Sequence, residues 1–164
     1  MNTDMKEQVI KLLETYPNRE RQIAILHYEM QHGAHISPEE MIDTMALGHG
    51  DSLGGSGKGH VSNKTMYIAL NYQEQMERVN TESMNEIAQT LLKLEQEQDR
   101  LRYYVSLLEK REAEVIRLVY FENCNQDKAA KKLEIVPRTL RRIKNRAVDK
   151  LAEMYAFTEH PRKK

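Results

Sequence analysis

The chain has 164 residues, of which 40% are hydrophobic and 30% charged, and its 25 basic and 25 acidic residues cancel to a formal net charge of zero. This composition is typical of a folded protein with one domain or two small ones, and it excludes a wholly disordered chain. No apolar run approaches about 18 residues and no basic-then-apolar leader is present, so we expect a cytoplasmic protein without a membrane span or secretory signal. The single cysteine, Cys124, excludes an internal disulfide.

The N-terminal part, residues 1–47, is predicted to be a helical segment. Apolar residues recur at helical spacing over 4–15 and 18–31. Residues 37–40 read Ser-Pro-Glu-Glu, which predicts a helix start with a serine cap, proline at the first position and a glutamate that closes a capping box. We expect this third helix to end at Leu47.

A glycine-rich segment follows, because residues 48–63 hold six of the seven glycines of the chain. Such a composition predicts a flexible loop. Gly57 and Lys58 resemble the end of a phosphate-binding loop, but the first glycine position of that motif falls on Ser52 and its final hydroxyl position on Gly59. We therefore expect no nucleotide hydrolysis here.

Residues 64–108 are predicted to form a long helix or a helical hairpin. Its second half carries a heptad seam, in which seven apolar side chains and Gln98 alternate in steps of three and four residues. The seam consists of Met84, Ile87, Leu91, Leu94, Gln98, Leu101, Val105 and Leu108.

The seam leaves two structural questions open. A phase break near Asn80 is compatible with a hairpin that folds at 80–83 or with one continuous helix. The 84–108 seam can pack against the 64–79 helix of the same chain, which we favour, or pair with a second chain as a homodimer.

A helix-turn-helix pattern lies downstream. Residues 126–133 form a predicted first helix, in which the small residues Ala129 and Ala130 allow a partner helix to approach closely. Residues 134–136 form the turn, and Pro137 occupies the first position of the second helix, where its missing N–H costs nothing.

The second helix of this motif has two unlike faces. Its apolar residues, which we predict to be buried, are Leu140, Ile143, Ala147 and Leu151. The other face carries guanidinium and amide groups, the groups that read base edges in a major groove. The predicted DNA-binding residues are Arg138, Thr139, Arg141, Arg142, Lys144, Asn145 and Arg146. The alternative is an ordinary helical hairpin with solvated arginines.

Charge is distributed unevenly along the chain. Residues 137–164 contain 9 basic and 3 acidic residues, whereas residues 1–136 contain 16 and 22. A basic segment beside an acidic body favours phosphate binding. Residues 157–164 are predicted to be a basic tail.

Residues 109–156 and the leucine before them resemble region 4 of sigma-70-type RNA polymerase sigma factors. The residues that carry the resemblance are Leu108, Arg111, Glu112, Ala113, Val115, Ile116, Arg117, Ala130, Leu133, Ile135, Ile143, Ala147, Val148 and Leu151. The resemblance implies that the second helix recognises the −35 promoter element and that residues 110–121 dock on the flap of the polymerase β subunit.

The resemblance also assigns roles to individual side chains. It places Arg138, Thr139 and Arg142 at the base edges. It places Arg141, Lys144 and Arg146 near phosphates.

The chain departs from a complete sigma factor in its N-terminal two thirds. Such a factor melts the −10 element with aromatic side chains, but this chain has no tryptophan and two phenylalanines, and nothing in residues 1–107 is similar to that region.

Glu134 stands where helix-turn-helix proteins often have glycine, and Pro137 stands near a position that is usually polar in the family. The glycine-rich stretch leading into a long helix is similar to small sigma-like regulators of phages and prophages of Firmicutes, which drive late-gene transcription.

These resemblances imply a non-enzymatic transcription regulator that binds double-stranded promoter DNA and RNA polymerase in the bacterial cytoplasm. We expect no catalytic residues, cofactor or metal site, since no catalytic pair or ligand set has suitable spacing. The alternatives are a dimeric helix-turn-helix repressor or phage DNA-packaging subunit that acts without polymerase, and an antagonist that occupies polymerase or another sigma factor.

Overall fold

The computed structural model describes residues 2–33, 35–47 and 63–159. Over these ranges the chain forms seven α-helices and one π-helical segment, with no β-strand, so the predicted all-α fold is confirmed. The helices are α1 (Asn2–Glu14), α2 (Tyr16–His32), α3 (Pro38–Leu47), α4 (Asn63–Ser106), α5 (Lys110–Ile116), α6 (Gln126–Lys132) and α7 (Pro137–Glu159), and the π-helical segment (Arg117–Phe121) follows α5.

Two of the predicted segments fall largely outside this description. The glycine-rich loop predicted over 48–63 lies outside the described residues except for Asn63, which begins α4. Residues 160–164 of the predicted basic tail lie outside them as well. None of the described helices combines the length and the apolar character that crossing a membrane requires.

The chain forms two compact units. The first consists of Met1–Ile25 and Leu92–Lys164, and the second of Leu26–Leu91, so the boundaries fall within α2 and α4. The first unit contains the helix-turn-helix pattern and is the unit that positions the candidate site.

The core of the first unit joins the two ends of the chain. On α1, Val9 and Leu13 are four residues apart, share one face and are fully buried, and this helix packs on α7. The buried apolar residues of this core are Met5, Val9, Leu13, Tyr16, Leu101, Val105, Leu108, Ala113, Ile116, Ala147, Val148, Leu151, Ala152 and Tyr155. From the sequence we predicted that α1 belongs to one helical segment, residues 1–47. In the structure, α1 instead packs its apolar face on α7.

The long helix α4 is continuous through residues 80–83, so the hairpin alternative does not occur. Our favoured pairing of the 84–108 seam with the 64–79 helix is therefore wrong, because both stretches lie on one helix. Asn80 does not terminate the helix. Its side-chain amide instead accepts from Ile36 N at 2.9 Å and donates to Ile36 O at 3.3 Å. The C-terminal part of the seam, from Leu101 onward, is buried in the core of the first unit.

The polar member of the seam, Gln98, is fully buried and hydrogen-bonded to α2. Its Oε1 accepts from Arg19 Nε at 3.0 Å, and its Nε2 donates to the carbonyl of Tyr16 at 3.4 Å. Arg19 is itself 5% exposed and donates to the carbonyl of Leu12 at 2.6 Å and to the hydroxyl of Thr15 at 2.7 Å. These bonds fix the start of α2 against α4.

In the second unit, the predicted start of α3 is confirmed in detail. Ser37 N donates to Glu40 Oε2 at 2.9 Å, and Glu40 N donates to Ser37 Oγ at 3.2 Å, which is a complete capping box. The hydrogen bonds from the backbone and hydroxyl of Ser37 lower the pKa of the Glu40 carboxyl.

The Gln98 contacts generate a stability prediction. We expect Gln98→Leu to lower the free energy of unfolding by about 2 kcal/mol, because the buried guanidinium of Arg19 would lose an acceptor that water cannot replace. Urea unfolding followed by far-ultraviolet circular dichroism measures the change. Gln89→Leu, at an exposed position of the same helix, should stay within about 0.5 kcal/mol. A stabilising effect of leucine at position 98 would show that the seam acts by apolar packing alone.

Candidate nucleic-acid interface

The predicted helix-turn-helix is present as α6, a turn and α7. Asn125 caps α6 by accepting a hydrogen bond from Asp127 N at 2.9 Å on its side-chain oxygen. Pro137 begins α7, as predicted. A second small core holds the two helices together and consists of Val115, Ala129, Ala130, Leu140 and Ile143, with Leu133 and Ile135 packed against it.

The turn between the helices is a Schellman motif centred on Glu134, which has a φ of 54°. Glu134 N donates to Lys131 O at 3.2 Å, and Ile135 N donates to Ala130 O at 3.0 Å. The side chain of Ile135 packs on the small core. A non-glycine residue therefore adopts the left-handed conformation that glycine usually supplies here.

The two faces of α7 separate as predicted. Leu140, Ile143, Ala147 and Leu151 are all buried. Of the predicted DNA-binding residues, Arg138, Arg141, Arg142, Asn145 and Arg146 are exposed and Thr139 is half-buried, all outside this stripe. Lys144 is half-buried as well, but it lies four residues from both Leu140 and Val148 and so borders the buried stripe. With the residues that the structure describes, Arg138, Arg141 and Arg142 form no salt bridge, so their guanidinium groups are available to a ligand.

Arg146 differs from the other arginines because it has a partner within the protein. Its Nε lies 3.0 Å from Oε1 of Glu112, a fully buried side chain of α5. That oxygen accepts no hydrogen bond, so the contact is an ion pair without hydrogen-bond alignment. The side chain of Arg146 is still 61% exposed, which leaves part of its guanidinium facing solvent.

Glu112 is held by a second cation as well. Lys150 Nζ donates to Glu112 Oε2 at 2.9 Å and to Glu109 Oε1 at 2.8 Å. Glu109 N donates to Glu112 Oε2 at 3.3 Å and closes a capping box at the start of α5. The hydrogen bond from Lys150 lowers the pKa of the Glu109 carboxyl, and the bonds to Glu109 and Glu112 raise the pKa of the Lys150 ammonium.

This acidic and basic cluster was not singled out from the sequence. The sequence contains two signals of this cluster. Glu112 follows Glu109 by three positions, which fits a capping box, and Lys150 follows Arg146 by four positions, which places both on one face of α7. Neither spacing shows that the two pairs meet, because 38 residues separate Glu112 from Lys150.

The segment that the resemblance assigned to polymerase, residues 110–121, divides into α5 and the π-helical segment. The widened turn is visible in the bond from Glu122 N to Arg117 O at 2.8 Å, which spans five residues. Phe121 stacks on Tyr16 with a ring separation of 3.8 Å, which fixes the end of this segment on the first core. Lys110, Arg111 and Arg117 remain exposed.

Elsewhere in the described ranges, no group of three histidine, cysteine, aspartate or glutamate side chains is arranged to hold a metal ion.

Comparison with known protein families agrees with this geometry. Residues 105–153 match the family model described as Sigma-70, region 4. No curated protein and no solved structure matches the chain. The C-terminal part is thus a sigma region 4-like domain, and the fold and site define a DNA-binding helix-turn-helix regulator.

The left-handed turn residue generates a second stability prediction. We expect Glu134→Gly to raise the free energy of unfolding by about 0.5 to 1 kcal/mol, since glycine adopts a positive φ without steric strain. Lys131→Gly, in the last turn of α6, should lower it by about 1 kcal/mol. Thermal and urea unfolding compare the stability of the two variants. An equal loss in the free energy of unfolding for both would show that the backbone at Glu134 is not strained.

The buried carboxylate generates a third prediction. We expect Glu112→Gln to lower the free energy of unfolding by about 2 kcal/mol, because the neutral amide removes the charge that pairs α5 with α7 inside the protein. Glu114→Gln is the matched control on the same helix, since Glu114 forms no salt bridge with a described residue, and it should stay within about 0.5 kcal/mol. Urea unfolding measures both changes. Equal changes in the free energy of unfolding would show that the ion pairs of Glu112 do not stabilise the fold.

Proposed function

We propose that this protein is a sigma-like transcription factor or activator that recognises promoter DNA through α7 and contacts RNA polymerase. The observation that carries the proposal is the face of α7 on which Arg138, Arg142 and Asn145 are exposed opposite a buried apolar stripe. This face lies within the stretch that matches Sigma-70, region 4. An α-helix with such a face can enter a major groove and place guanidinium and amide groups at base edges.

The polar side chains of α7 divide into two roles. Arg138, Thr139 and Arg142 read base edges, while Arg141 and Lys144 position the helix on phosphates. Asn145 lies on the same face and adds an amide to it. Arg146 also contacts a phosphate with the part of its guanidinium that remains exposed beside Glu112.

The charge distribution supports DNA binding by this part of the chain. The segment from residue 137 onward carries a net excess of six basic residues, and the rest of the chain carries the matching acidic excess. The basic part attracts the phosphate backbone, and the acidic part limits binding to nucleic acid elsewhere on the surface.

The polymerase contact is assigned to α5 and the π-helical segment. Their exposed cations, Lys110, Arg111 and Arg117, lie away from the cores and are open to a partner. The resemblance to region 4 gives that partner as the flap of the β subunit. The looser resemblance to phage and prophage regulators of Firmicutes gives phage or prophage genes as the targets, and the bacterial cytoplasm as the site of action.

Binding to core RNA polymerase tests the proposal. The full chain is passed with core enzyme from a Gram-positive host over a sizing column, and a pool of promoter fragments is selected with and without the enzyme. Polymerase-dependent selection of fragments supports the proposal. Sequence-selective binding without polymerase supports the alternative of a dimeric repressor or DNA-packaging subunit, and polymerase binding without DNA affinity supports an antagonist.

The seam bears on the dimeric alternative. Leu101, Val105 and Leu108 are buried in the core of their own chain. A homodimer through the whole 84–108 seam would have to expose that core, so the dimer is the weaker of the two proposals.

The two roles on α7 generate a prediction for DNA binding. We expect Arg142→Ala to reduce the preference for a selected site over random duplex by about 1 to 3 kcal/mol, because it removes a base contact. We expect Arg141→Ala to weaken binding to both duplexes equally. The slope of the logarithm of the binding constant against the logarithm of the salt concentration should fall by about the contribution of one phosphate contact. Salt titrations of binding, read by fluorescence anisotropy, measure both quantities.

Arg21→Ala is the control, since Arg21 is exposed on α2 outside the helix-turn-helix and should leave both affinities unchanged. Arg146→Ala is unsuitable as a pure phosphate variant because it also removes a partner of Glu112. Equal losses on specific and random DNA for Arg142→Ala would exclude a base-reading role for Arg142.

A further inference from the structure

The first unit contains a cavity of about 690 Å³ that the DNA-binding face of α7 does not use. It is lined by residues of α1, of the start of α2, of the C-terminal part of α4 and of the end of α7. A volume in this range is typical of small-molecule sites in proteins. The cavity is therefore large enough for a ligand the size of a nucleotide.

The lining of the cavity is strongly basic. Four cations, Lys11, Arg19, Lys93 and Arg100, face one carboxylate, that of Glu97. Arg19 lies 3.6 Å from that carboxylate, whereas Lys11, Lys93 and Arg100 form no salt bridge with any described residue. Unpaired cations gathered at one concave site favour an anionic ligand that carries several charges.

The rest of the lining supplies amide and apolar groups. Gln8, Asn18, Gln22 and Gln96 contribute side-chain amides, each of which carries both donors and an acceptor. Met5, Leu12 and Leu94 contribute apolar surface. Amides of this kind pair with the donor and acceptor edge of a nucleobase, and apolar side chains pack on its face.

A buried hydroxyl gives an independent sign of a missing partner. Tyr155, on α7, lines the cavity and is 4% exposed, and its Oη is buried without any hydrogen bond. Burial raises the pKa of Tyr155 to about 12, and the charges of Arg100, Glu97 and Arg19 act on the same hydroxyl. All three of these residues line the cavity, so the unsatisfied hydroxyl lies near its charged wall. Buried polar groups in folded proteins rarely lack a partner.

We propose that this cavity is a binding site for a nucleotide, with the phosphates on Lys11, Lys93 and Arg100 and the base among the amides and apolar residues. The hydroxyl of Tyr155 gains a hydrogen-bond partner on a small rearrangement of the wall. The binding step is independent of the proposed function and is tested without DNA or polymerase.

Isothermal titration of the full chain with adenosine triphosphate and guanosine triphosphate tests the site, with inorganic triphosphate and adenosine as partial ligands. We expect at least one nucleotide to bind with a Kd below about 1 mM and more tightly than either partial ligand. Failure of both nucleotides to bind, or equal affinity for inorganic triphosphate, would overturn the proposal.

Three variants localise the binding. Lys93→Gln and Arg100→Gln remove exposed cations that have no described salt bridge, and each should weaken nucleotide binding by about tenfold. Tyr155→Phe should weaken binding severalfold while the Tm stays constant or rises, because a buried unpaired hydroxyl is removed. Lys128→Gln, on α6 and outside the cavity, is the matched control and should leave the affinity unchanged. Unchanged affinity in Lys93→Gln and Arg100→Gln, or an equal loss in the control, would exclude the cavity as the site.

Discussion

The buried carboxylate of Glu112 ties α5 to α7, and the orientation of the proposed DNA-binding face depends on this contact. The side chain is fully buried, and Arg146 and Lys150 neutralise it from successive turns of α7. A buried charge that loses its partners is strongly destabilising, so α7 can neither slide nor rotate without a free-energy cost. The same carboxylate caps the start of α5, which ties the segment assigned to polymerase to the helix assigned to DNA. One buried group thereby sets the relative position of both proposed interfaces.

The two halves of α7 have different environments, and this difference explains how one helix can serve both recognition and assembly. Its N-terminal half buries Leu140 and Ile143 against α6 and leaves the arginine face exposed. Its C-terminal half is buried by α1 and α4 around Leu151 and Tyr155. The proposed nucleotide site lies beside the C-terminal half, at Tyr155.

Local sequence signals predicted the elements well because their causes are local. The capping box at 37–40 forms as expected, since its two hydrogen bonds involve residues only three positions apart. The apolar stripe of α7 follows from helical periodicity alone. The heptad seam also formed a helix, but its partner was predicted wrongly. Periodicity shows that one face is apolar and does not show which other apolar face covers it. The C-terminal part of the seam is buried in a core that also contains residues of α1 and α7, from the two ends of the chain.

Local sequence patterns were sufficient to predict that the chain is helical, where the helix-turn-helix lies and which face of α7 is apolar, because these properties depend on residues within a few turns of one another. Local patterns were not sufficient to predict that α4 is continuous, that α1 packs on α7 or that Gln98 bonds to Arg19 across 79 residues of sequence. The contact between Arg146 and Glu112 was not predicted either. These features depend on contacts between distant segments, and pairing between distant segments is fixed only when the competing apolar and charged surfaces of the whole chain are packed together.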